Sequence, residues 1–88
     1  MDVNIIEDKS DSFIAEVTGM DRAILELIKD RLLNVKDVDF VTVAKEHPES
    51  PAARLIVKAS KNPKNLVAKA VEEVEDDIKE LQNEIKRK

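Results

Sequence analysis

Apolar side chains in the last quarter of the chain recur at Val67, Val71, Val74, Ile78, Leu81 and Ile85, at spacings of 4, 3, 4, 3 and 4. That is the seam one helix presents to another. The positions between them are almost all charged, from Lys69 through Glu72, Glu73, Glu75, Asp76 and Asp77 to Lys79, Glu80 and Glu84. Pro63 suits a first helical turn, where its missing N–H is no loss. The pattern therefore predicts one long amphipathic helix over 63–87. Such a helix would be roughly 37 Å long, at about 1.5 Å per residue. A compact chain of this size has a radius of gyration of only about 12 Å. The last turns are expected to overrun the chain's own sheet and to need another surface for their apolar side chains.

Upstream the period changes. Val3, Ile5 and Ile6 open a short strand that ends in the turn-forming run Glu7-Asp8-Lys9-Ser10-Asp11. Phe13, Ala15 and Val17 then alternate with Ile14, Glu16 and Thr18, as in a half-buried strand. The two runs read as a β-hairpin. Gly19, the only glycine, closes the second strand, and Asp21 stands where an N-cap belongs. The helix that follows carries Ile24, Leu27, Ile28 and Leu32 on one face, with Leu25 and Leu33 to the side, so it is apolar over more than one face. Val38 to Lys45 is a third strand, Glu46 to Pro51 a polar turn, and Arg54 to Lys58 a fourth strand that pairs with the third.

The predicted order is ββαββα. It implies an α+β fold, a four-stranded, mostly antiparallel sheet with two helices on one face. No repeat or linker divides the chain, and residues 1–88 are expected to form a single dimerisation domain.

A chain of 88 residues without cysteine has neither a large core nor a disulfide to stabilise it, so burial against a partner is the remaining source of stability. Phe13 and Phe40 are the only aromatic residues, and the net charge is −4. Both facts argue against aromatic stacking platforms for single strands and against general binding of phosphate backbones. No apolar run approaches the length of a membrane span, and the N-terminus lacks a signal-type pattern. The expectation is a cytoplasmic protein that binds neither membrane nor nucleic acid sequence-specifically.

Catalytic chemistry finds no foothold. His47 is the only histidine, and its neighbours Glu46 and Glu49 lie in a Pro-bounded turn where solvated carboxylates are ordinary. Ser10, Ser12, Ser50 and Ser60 sit in or beside turns with no paired histidine to activate them. The acidic run Glu72 to Asp77 points in several directions around a helix and cannot converge on one ion. No catalytic residue, cofactor, metal or small-molecule substrate is expected. Arg22, at the start of the first helix, is unfavourable to the helix dipole. Either Asp21 offsets it, or it reaches a carboxylate on a partner.

In these features the chain resembles the archaeal RNA polymerase subunit L family, relatives of the eleventh subunit of eukaryotic RNA polymerase II and of the bacterial α-subunit N-terminal domain. The likeness spans the opening strand pair, Gly19-Met20-Asp21 ahead of a leucine-rich helix, Asp37-Val38-Asp39-Phe40-Val41, Glu46-His47-Pro48 and the long charged C-terminal helix. Arg22-Ala23-Ile24-Leu25-Glu26 departs from the His-Thr-Leu-Gly-Asn-like stretch usual in that family. The resemblance implies the α-like dimerisation fold and a non-catalytic subunit. Its partner would be the larger, α-like (D) subunit of the polymerase, and the pair would form the platform for the large catalytic subunits in transcription. It implies a partner interface on both helices, at Ile24, Leu25, Ile28 and Leu32 and at Val67, Val71, Val74, Ile78, Leu81 and Ile85. Arg22 and His47 are the candidates for contact with the large subunits. The alternatives are a homodimeric regulatory or ligand-binding module and a scaffold subunit of another complex.

Overall fold

The computed structural model describes residues 2–87. Its elements follow in the order β1 (Asp2–Asp8), β2 (Ser12–Thr18), α1 (Arg22–Leu33), β3 (Val38–Ala44), β4 (Ala52–Ala59) and α2 (Pro63–Arg87). The four strands form one sheet in the order β1-β2-β4-β3, and every pairing is antiparallel. Both local hairpins predicted by the alternation are present. The strands β2 and β4 join them at the centre, with Phe13 opposite Val57 and Ala15 opposite Leu55.

Alternation decides which side of the sheet is covered. Phe13, Ala15 and Val17 of β2 are buried together with Ala53, Leu55, Val57 and Ala59 of β4 and Val41 of β3. The helices lie over this side, α1 against β3 and α2 against β4 and β2. Leu25, Ile28 and Leu32 of α1 and Pro63, Val67, Ala70 and Val74 of α2 complete the core. The opposite side carries Glu16, Arg54, Lys58 and half-buried Ile14 and Ile56.

Neither helix shields β1. Val3 pairs with Val17 and Ile5 with Ala15, which puts both on the core side of the sheet, yet they remain 57% and 48% exposed. A register shift between Ile5 and Glu7 bulges this edge strand and disrupts the ladder that another strand would extend.

Local chemistry sets the turns and caps. The Asp21 carboxylate accepts a hydrogen bond from the Ala23 amide at 2.7 Å, the N-cap arrangement. Gly19 turns the chain with φ 82°, a region in which a Cβ is penalised. Asn62 ahead of α2 has φ 43°, tolerated by a short amide side chain. Its carbonyl accepts hydrogen bonds from Asn65 and Leu66.

Two strands run longer than their residues suggest. The strand β4 begins at Ala52 and ends at Ala59, because Ala53 and Ala59 are held by pairing with Val17 and Val38 rather than by their own propensity. Glu7 and Asp8, expected in a turn, belong to β1 through pairing with Ile14 and Phe13. The radius of gyration is 13.8 Å, above the value of about 12 Å for a compact chain. The excess comes from the end of α2, where every residue from Lys79 to Arg87 is exposed.

Candidate dimerisation face

The two helices meet where Arg31 of α1 reaches α2. Its guanidinium lies 3.7 Å from Glu73 and also pairs with Asp77. Beside that ion pair lies a groove of about 220 Å³ lined by Leu27, Arg31, Val74, Asp77, Ile78 and Leu81. Leu27, Leu81 and Ile85 are 49%, 60% and 64% exposed. The stripe runs on from Ile78, which packs partly against the core, to Leu81 and Ile85, which stay exposed.

This divides the residues expected at a partner interface into three sets. Leu25, Ile28, Leu32, Val67 and Val74 are between 0% and 8% exposed and belong to the chain's own core. The three α1 side chains and the two of α2 pack into the core over the sheet, and Val74 also forms part of the groove wall. Ile24, Val71 and Ile78 are partly buried at the margin of that core, and only Leu81 and Ile85 stand fully clear. Leu27, placed by spacing on one face with Ile24, Ile28 and Leu32, is half exposed on the groove while Ile28 and Leu32 are buried. A leucine stripe more than one face wide was the signal that could have placed it there.

Arg22 and His47 are not brought together with the groove. Arg22 donates from Nε to Glu26 Oε1 at 3.2 Å, so its neighbour one turn on engages it while the Asp21 carboxylate is occupied with the cap. Lys29 also reaches Glu26, at 3.0 Å, and with Arg22 it holds that carboxyl below the usual range, Lys29 having the larger effect. His47 is exposed in the β3–β4 turn, where its carbonyl accepts from the Ser50 amide at 3.0 Å.

Two wider depressions lie on the helix-free side of the sheet, one beside Glu16, Lys45, Glu46 and Arg54, the other beside Glu7, Lys9 and Lys58. Both mix opposite charges that offset one another: Arg54 meets Glu16 at 3.5 Å and Lys9 meets Glu7 at 3.3 Å. The Ser12 hydroxyl also donates to Glu7 and, with Lys9, keeps that carboxyl below its ordinary range. Among the described residues no group of acids and histidine is placed to hold a metal ion, and no helix is long and apolar enough to cross a membrane.

Comparison with known proteins identifies the family and agrees with the fold. Residues 12–84 match the family model described as the RNA polymerase Rpb3/Rpb11 dimerisation domain, a span from β2 almost to the end of α2 that leaves β1 outside. The chain is 27% identical over 88 residues to DNA-directed RNA polymerase subunit Rpo11 of Sulfurisphaera tokodaii, covering 98% of this chain and 95% of that protein. Its fold is similar to the crystal structure of DNA-directed RNA polymerase subunit L from Thermoplasma acidophilum. The TM-score is 0.83 at 17% identity, over 98% of this chain and 86% of the other.

Proposed function

The chain belongs to the RNA polymerase Rpb3/Rpb11 dimerisation-domain family, and from that premise we propose that it is a non-catalytic assembly subunit of the enzyme. Its partner is the α-like (D) subunit, and the heterodimer is the platform on which the two large catalytic subunits assemble. The observation that carries this reading is the exposed pair Leu81 and Ile85, continuing the stripe from partly buried Ile78 beside half-exposed Leu27. Exposed apolar surface of this kind, rimmed by charge, is characteristic of a protein-binding site. Docking the partner's helices there buries the row and stabilises both chains, and the joint surface then receives the next subunit.

In this reading Ile24, Leu27, Val71, Ile78, Leu81 and Ile85 meet the partner. Arg22 and His47, neither of which lines the groove, are left exposed for the large subunits. The decisive experiment is a pull-down of the tagged chain from its own cells, with quantitation of whatever co-purifies in near-equal amounts. An α-like subunit with the large polymerase chains is the expected result. Recovery of the chain alone or paired with itself would overturn the proposal and leave a homodimeric module in its place.

A further inference from the structure

The apolar row of α2 is bordered by a second row with the same rhythm. Glu73, Asp77, Glu80 and Glu84 each immediately precede Val74, Ile78, Leu81 and Ile85. One residue is about 100° of helix, so the acids run as a stripe along one flank of the apolar stripe. The ion pairs identify that flank as the one turned toward α1, because Arg31 meets both Glu73 and Asp77. The neutralisation stops there. Among the described residues Glu80 has no ion pair, and Glu84 meets only Arg87 of its own helix, at 3.4 Å, with both side chains more than half exposed.

We propose that the occupant of the groove is a helix whose apolar side chains are flanked by a basic row, and that the acidic row of α2 selects it over a second copy of this chain. The inference rests on the heterodimer reading above and adds the partner's chemistry. Charges that flank an apolar helix seam set partner choice. A two-fold pairing brings the same patch of both copies together. With the α2 helices antiparallel, the flank carrying Asp77, Glu80 and Glu84 then meets its own copy, and like charges oppose one another. A basic row on the partner satisfies the same positions and continues the work of Arg31 beyond the reach of α1.

The test uses the full chain and the purified α-like subunit. It compares wild type, Glu80→Lys/Glu84→Lys and Leu81→Asp by titration at low and high salt, and by sedimentation of each chain alone. The substituted side chains are exposed, and circular dichroism checks that each variant keeps its helices. Wild type is expected to be monomeric alone. The double reversal should weaken binding about tenfold at low salt, a gap that closes near 1 M salt as screening shortens to about 3 Å. Leu81→Asp should abolish binding at every salt concentration. Binding of the double reversal as tight as wild type at low salt, or a stable wild-type dimer, overturns the acidic row as selector while the loss in Leu81→Asp upholds the groove. Undiminished binding by Leu81→Asp instead overturns the groove as the docking site, and failure of the wild-type chain to bind the α-like subunit at any salt concentration overturns the heterodimer reading itself.

Discussion

Arg31 and Asp77 are ion-paired across the two helices although 46 positions separate them in the chain. Glu73 joins the same guanidinium, so one arginine fixes how α1 lies against α2 at the rim of the groove. Its side chain is 36% exposed, which limits what the pairs contribute to the free chain. Arg31→Met is therefore expected to cost only about 0.5–1 kcal/mol in urea unfolding. The same change should weaken partner binding more than it weakens folding, because it leaves Glu73 and Asp77 without their counter-ion beside the docking face. Equal effects on both would show that Arg31 serves the fold alone.

Two leucines separate the core from the proposed docking face. Leu32 is fully buried, and Leu32→Ala should destabilise the isolated chain by about 2–5 kcal/mol through the lost contacts and the remaining cavity. Leu81 is 60% exposed, so Leu81→Ala should stay within about 0.5 kcal/mol of wild type while reducing affinity for the partner. Chemical denaturation of both variants, beside a binding titration, distinguishes the roles. Val74→Asp, a natural choice from the heptad alone, would test the fold instead, since Val74 is buried against the sheet.

Acid should weaken the β1–β2 hairpin through Glu7. Its carboxyl is held below the ordinary range, first by the Ser12 hydroxyl and then by Lys9. The unfolded chain therefore takes up the proton first as pH falls, and the stabilisation is present above the ordinary carboxylate range and lost as pH drops through the folded-state value. Ser12→Ala should raise the Glu7 pKa toward its ordinary value and flatten the fall in stability between about pH 5 and 3. A side-chain NMR titration of Glu7 in the two proteins reads the shift directly. An unmoved titration would mean that Lys9 alone sets it.

The N-cap of α1 gives a local check on the departure from the family pattern at Arg22. Asp21→Ala removes the acceptor for the Ala23 amide and should cost about 1 kcal/mol. Arg22→Ala should cost less than that, since its contact with Glu26 is exposed and Lys29 remains to pair with Glu26. Thermal melts of the two variants rank the contributions.

Much of this architecture is legible in the sequence because it depends on period. The alternation at Phe13, Ala15 and Val17 settles the inner face of β2, and the heptad rhythm settles the extent of α2. Ala52, Ala53 and Ala59 escape such a reading, since alanine takes a strand only when its neighbours impose one. The docking face is half legible for a related reason. Spacing identifies the heptad seam of α2 but not Leu66 and Ala70, which also pack at the core, and which positions the sheet consumes depends on where the helix crosses it, a tertiary fact. The meeting of Arg31 with Glu73 and Asp77 has no signature in sequence, because it joins residues on two helices separated by a hairpin.

The overhang from Lys79 to Arg87 has a thermodynamic side of its own. Nine exposed residues form a helical end held by little tertiary packing, and such ends fray far more readily than the chain unfolds. Binding a partner must therefore quench that motion as well as bury Leu81 and Ile85. Fixing a fully frayed residue costs about 1–2 kcal/mol of backbone entropy, so the affinity of the assembled pair should fall short of what its buried area suggests. The same fraying makes those amides a reporter: their uptake of deuterium should slow at the moment when a free subunit becomes an assembled one.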